Sequence, residues 1–220
     1  LKETLISQKI FDESKIIVIQ DPHLIIKEIN ELKNEKNEDV FLKNDKILIS
    51  IGRLTKQKNY IFLISNFKKL LFKFNDIKLL IIGDGEEKRI LQNLITKLHI
   101  EDKVKLIGYK KNIYKYLKVS NYYISTSIWE GSSLAMIDAA FMGLPILCSN
   151  CPTGRKEFIN NDEKGFLYNE GDSKDFLNKF EKMYRSNAHD VKTQLIKAKK
   201  ESKKFTLLNH SFKLSNILKN

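Results

Sequence analysis

The chain has 220 residues, enough for one substantial core and a small second lobe. Hydrophobic residues make up 42% and charged residues 30%, a globular composition that excludes a largely disordered chain. The net charge of +12 calls for anionic partners such as a nucleotide, a phospholipid surface or nucleic acid, although lysine, asparagine and isoleucine are abundant throughout and a biased base composition would give the same surplus.

No apolar run approaches the roughly 18 residues needed to cross a bilayer, and no signal peptide precedes the first predicted strand. Cys148 and Cys151 form a lone C-x-x-C. Zinc would need two further ligands, and none of His23, His99, His189 and His210 stands at zinc spacing. Pro152 does not suit the helix start of a redox pair. The two cysteines therefore read as reduced thiols at a strand end in a cytoplasmic protein. Leu1 in place of Met suggests a fragment whose N-terminal part is missing.

In chain order, residues 1–15 read as a short helix and loop, and residues 16–19 (IIVI) as a strand stopped by Asp21-Pro22. Residues 27–45 are highly charged, a solvated linker or helix. A regular alternation follows. Residues 47–51 form an apolar strand, and 59–74 a helix with Ile61, Ile64, Phe67, Leu70, Leu71 and Phe74 on one face. Residues 77–82 form the next strand and 86–98 the next helix. Strands at 104–107, 122–125 and 146–149 follow, with helices at 113–120 and 133–142. Late helices are expected at 172–184 and 191–204, with a third at 206–218. Wholly apolar strands alternating with amphipathic helices predict an α/β, doubly wound parallel sheet covered on both faces. Ligand then lies at the C-terminal strand ends, in the loops after Ile51, Ile82, Ile107, Ser125 and Ser149.

The first of these loops, from Gly52 to Asn59, opens a helix and carries Arg53 and Lys58. A guanidinium grips phosphate oxygens with a fork of donors, and an ammonium acts as a mobile point charge. Both could equally cap a solvated loop. The second, Gly83-Asp84-Gly85-Glu86, has two glycines that permit close backbone approach. Its acids need no metal to explain them, and the third glycine of a dinucleotide fingerprint is absent, since position 88 is lysine. In the third stretch, Glu130-Gly131-Ser132-Ser133 leads into a helix holding Asp138. Free amides and the positive dipole end at such a start suit a diphosphate. The two acids stand roughly 12 Å apart at helical rise, able to flank it. A serine cap with stray acids would look the same. The last loop, from Asn150 to Ile159, is a turn into a helix start facing the same edge.

Taken together, ISIGRLTKQKN, LLIIGDGEE, VKLIGYKKNI, NYYISTSIWEGSSLAMIDAAFMGLPIL and CPTGRKEFI resemble, in order and spacing, the C-terminal donor-binding domain of the family-four retaining glycosyltransferases, which have the GT-B fold with Rossmann-like halves. The likeness spans about residues 47–167. It implies that Arg53 and Lys58 neutralise the donor diphosphate and that Glu130 touches the donor sugar. It also implies that Asp138 holds the ribose hydroxyls. Gly131, Ser132, Ser133 and Leu134 would contact sugar and phosphate, and Gly108, Tyr109 and Lys110 would border the nucleobase. Gly52, Gly83 and Gly85 would lie beneath the donor.

Three departures stand out. The second acid is Asp138 rather than Glu, Gly131 is not followed by Phe-Pro, and Arg155 replaces a residue often seen after Cys-Pro-Thr-Gly. That last segment is similar to members using UDP-linked galactose or hexosamine.

The resemblance further implies four parts. Residues 1–22 are the tail of a missing N-terminal acceptor domain, and 23–45 a linker. Residues 46–204 are the nucleotide-sugar-binding domain, and 205–220 a crossover helix with an apolar face that packs on the missing half. The implied reaction moves a hexose or N-acetylhexosamine, with retention, from a nucleoside diphosphate donor (UDP expected) to a glycan or lipid-linked acceptor in surface polysaccharide or glycoconjugate synthesis. It needs no metal or cofactor, and the fragment alone is expected to be inactive. The alternatives are another GT-B enzyme (an epimerase or phosphorylase) or a basic module on anionic membrane, supported by the run KAKKESKK at 197–204. Peripheral contact with the inner membrane face also fits the main reading. Nucleic acid is not expected, for want of interleaved aromatics or a reading helix.

Overall fold

The computed structural model describes residues 2–36, 41, 45–131, 133–151 and 155–219. Six strands form one wholly parallel sheet: β1 (Lys46–Ile51), β2 (Ile77–Ile82), β3 (Val104–Leu106), β4 (Tyr122–Ser125), β5 (Ile146–Asn150) and β6 (Phe166–Asn169). Their spatial order is β3-β2-β1-β4-β5-β6. The helices are α1 (Lys2–Ser7), α2 (Ile26–Leu32), α3 (Tyr60–Leu70), α4 (Lys88–Lys97), α5 (Tyr114–Val119), α6 (Leu134–Met142), α7 (Arg155–Ile159), α8 (Ser173–Arg185), α9 (Ala188–Ser202) and α10 (Leu207–Leu218).

The strands are apolar throughout because both faces are covered. Along β1, Leu48 packs with Leu63, Phe67 and Leu91 under α3 and α4, in a layer that α8 extends through Phe176 and Phe180. Its neighbours Ile47 and Ile49 point the other way, to Tyr116, Ile137, Ala140 and Ala198 of α5, α6 and α9. The α/β doubly wound architecture expected from the alternation is therefore the observed one.

Three differences from the sequence expectations have physical causes. Residues 16–19 are not a strand: no strand edge among the described residues pairs with them, and Ile17 and Val18 are exposed. The helix predicted for 59–74 ends at Leu70 and continues as a turn, from which Phe74 still reaches the core beside Phe180. β6 was not expected, since a four-residue run with one polar end carries little periodicity; it forms because β5 offers an edge, with Leu147 opposite Phe166.

Gly83 explains how the sheet's ligand edge is closed. Its φ is +151°, and a Cβ there would meet the Gly52 carbonyl oxygen at 1.9 Å. A Cβ on Gly85 would likewise meet the Leu54 carbonyl oxygen at 2.5 Å. The close approach that these glycines allow is therefore between the loops after β2 and β1.

Candidate donor site at the switch point

Strand order reverses between β1 and β4, so their outgoing loops part from opposite faces and leave a crevice between them. Three contacts hold the two loops side by side. The Ile128 amide donates to the Gln57 carbonyl (2.8 Å), the Gln57 side chain to the Trp129 carbonyl (3.0 Å), and the Thr126 hydroxyl to the Lys58 carbonyl (2.9 Å). Asn59, in the left-handed region with φ 53°, turns the chain from the first loop into α3.

In this crevice Lys58 Nζ meets Glu130 Oε2 at 2.5 Å. The Ser127 hydroxyl donates to the same oxygen at 3.0 Å. A third donor comes from an unexpected place: Arg155 Nη2, at 3.2 Å. Arg155 is wholly buried, and also donates to the hydroxyls of Ser149 (2.7 Å), Ser125 (2.6 Å) and Ser127 (3.1 Å). Two cations thus converge on one carboxylate. Cys148, on β5, is a free buried thiol whose pKa burial pushes up to about 11.

The other expected residues are distributed around this centre. Arg53 is exposed on the same loop as Lys58, and Gly52 is partly buried at its root. Gly131 is exposed and Leu134 is 38% exposed. Ser133 is buried at the N-terminal cap position of α6, with no side-chain capping bond. Ser132 lies outside the described residues. On the loop after β3, Gly108 has φ +72° and accepts a hydrogen bond from the Gly83 amide (2.9 Å). Tyr109 is exposed there, and Lys110 partly so. A cleft of about 380 Å³ opens at the start of α6, between Ile19 and Asp21 on one side and Ser133, Met136, Glu157 and Phe158 on the other.

Asp138 is placed differently from Glu130. It is buried about one turn into α6, and accepts hydrogen bonds from Tyr114 (2.7 Å) and from His23 Nε2 (2.9 Å to each carboxylate oxygen). The bond to Asp138 holds the His23 pKa above its usual value despite partial burial, and the charges of Asp138 and Asp21 add to it.

The lysine run at 197–204 is not a bare cationic patch. Lys197 lies 3.7 Å from Glu163 and Lys204 2.6 Å from Glu201, whose second oxygen pairs with Lys164 at 3.3 Å. No helix of the described residues is long and apolar enough to cross a membrane.

The chain is similar to known glycosyltransferases. An uncharacterized glycosyltransferase of Methanocaldococcus jannaschii is 41% identical over 137 residues, 61% of this chain and 34% of that protein. An N-acetylgalactosamine-N,N'-diacetylbacillosaminyl-diphospho-undecaprenol 4-alpha-N-acetylgalactosaminyltransferase of Campylobacter jejuni is 37% identical over 130 residues, covering 59% of this chain and 34% of its own length. The chain therefore spans well under half of these curated relatives. Among solved structures, S. aureus TarM in complex with Fondaparinux, alpha-GlcNAc-glycerol and UDP superposes with a TM-score of 0.78 at 24% identity, over 100% of this chain and 42% of that one. Anabaena HepE in complex with UDP and glucose gives 0.78 at 19%, over 99% and 60%. The fold is that of GT-B glycosyltransferases. The family model described as glycosyl transferases group 1 matches residues 28–202, and the chain belongs to that family.

Proposed function

We propose that this chain is the donor-binding half of a retaining glycosyltransferase that takes a hexose or N-acetylhexosamine from UDP and delivers it to a lipid-linked or glycan acceptor. The observation that carries this reading is the crevice between β1 and β4, where Lys58 and Arg155 meet Glu130 beside the start of α6. A pyrophosphate laid there would face the α6 amides, with Lys58 and Arg53 on the adjoining loop. These positive groups answer charge that grows on the leaving phosphate as the glycosidic bond breaks, so they favour the transition state over the ground state. Glu130 would accept from a hydroxyl of the donor sugar. Tyr109 and Lys110, on the loop after β3, would border the base, and Asp138 the ribose.

Two relatives support the substrate class. The C. jejuni transferase named above acts on a diphospho-undecaprenol substrate, and an Escherichia coli UDP-Gal:alpha-D-GlcNAc-diphosphoundecaprenol alpha-1,3-galactosyltransferase is 30% identical over 174 residues, 76% of this chain and 44% of that protein. An acceptor held in a lipid surface would also give the basic chain a reason to lie against anionic lipid. In the intact enzyme the other half would supply the acceptor site, residues 1–22 its tail, 23–45 the linker, and 205–220 the helix returning to it.

The test is product analysis with the intact enzyme, UDP-sugars and a diphospholipid-linked acceptor. An acceptor-dependent product with retained anomeric configuration is expected. Acceptor-independent conversion of the donor would instead indicate an epimerase.

A further inference from the structure

Arg155 has no place in the donor contacts described above, yet it is the largest wholly buried side chain among the described residues. Burying a guanidinium is costly unless an anion and hydrogen-bond acceptors surround it. Its acceptors are three serines, at the end of β4 (Ser125), in the loop beyond it (Ser127) and in β5 (Ser149). Its anion is Glu130, already paired with Lys58. A purely structural ion pair would balance one charge with one. Among the described residues one carboxylate here holds two cations, an excess of positive over negative charge beside the crevice. The two cations also differ in freedom. The Lys58 side chain is 17% exposed and ends in a point charge on a flexible stem, whereas that of Arg155 is 0% exposed and fixed by its fork of donors.

We propose that Arg155 is a positioning residue that keeps Glu130 ionised and in place, so that Lys58 can leave Glu130 for the donor's phosphate. Arg155 itself touches no substrate. The inference rests on the reading of the crevice as a donor site. Without Arg155, Lys58 is the remaining cation on Glu130, and drawing it to a phosphate would strand a buried carboxylate. Donor binding would then carry that penalty. Removing the carboxylate as well should lift it.

The experiment is titration of the chain with UDP, with GDP and ADP in parallel, for wild type, Arg155→Gln, Arg155→Lys and the double variant Arg155→Gln/Glu130→Gln, each checked for native circular dichroism. Arg155→Gln should weaken UDP binding about tenfold, the smaller end of the worth of a charge-assisted hydrogen bond. The double variant should recover UDP affinity to within about threefold of wild type, since the two changes act through one contact and UDP carries no donor-sugar hydroxyl for Glu130 to hold. Arg155→Lys keeps the charge and should also stay within about threefold. A double variant as weak as the single one would overturn the proposal and leave Arg155 a packing residue. If Arg155→Gln does not fold, a tenfold loss in folded Arg155→Lys overturns it instead. Wild type binding none of the three nucleotides would bring down the donor-site reading itself, and the proposal with it.

Discussion

Lys58 and Glu130 carry the proposed chemistry as a pair, and single substitutions should separate their roles. Lys58→Ala in the intact enzyme is expected to raise the barrier by about 2–4 kcal/mol, as loss of other charge-stabilising donors does. Arg53→Ala should cost a similar amount, with turnover at saturating donor as the measurement; wild-type turnover would remove either residue from the mechanism. Gly83 is a different kind of position. Alanine there meets the Gly52 carbonyl at a φ of +151°, and should destabilise the chain by roughly 2–4 kcal/mol in urea unfolding. The sequence made Arg53, Lys58 and Glu130 legible because each stands in a loop between an apolar strand and a helix. Arg155 escaped because burial leaves no mark in a loop, and one more cation among 39 basic residues looks like surface. A signal was nevertheless present. The chain has only four arginines (Arg53, Arg89, Arg155 and Arg185), so one just beyond a strand end stands out from the lysine background, and its planar set of donors suits several acceptors at once.

At the scale of elements, α6 joins two environments. Its start faces the crevice, while Asp138 ties it to α5 through Tyr114 and to residue 23 through the imidazole. Because the His23 pKa is raised in the folded chain, this link contributes stability that is fully present below His23's ordinary value of about 6.5. That contribution is lost as pH rises through the raised folded value. An NMR titration of the His23 ring should show the upward shift, and Asp138→Asn should abolish it; an unchanged His23 titration in that variant would contradict the contact. The helices and strands themselves were readable because both core layers need apolar residues at regular spacing. The expected strand at 16–19 failed for the complementary reason. An apolar run becomes a strand only where another edge receives its hydrogen bonds, and sequence does not say which edges are near.

Over the whole molecule, some of the basic side chains are paired with acids, as Lys73 is with Glu181 and Lys179 with Asp162, and the net surplus stays at +12. The apolar face of α10 is not covered: Leu208, Phe212 and Leu218 are 78%, 64% and 77% exposed. Large exposed apolar side chains on one helix invite association. The chain is expected to self-associate as concentration rises, and Leu208→Ser/Phe212→Ser to sediment as a monomer at the same concentrations. A wild-type chain that stays monomeric throughout would show that this face needs no cover.

The central claim is that the β1–β4 crevice binds a nucleoside diphosphate through Lys58 and its neighbouring positive groups. Calorimetric titration of UDP into the chain, wild type beside Lys58→Ala, tests it most directly. Saturable 1:1 binding that weakens at least about tenfold without Lys58 is the predicted result. Equal affinity in the two proteins would contradict it.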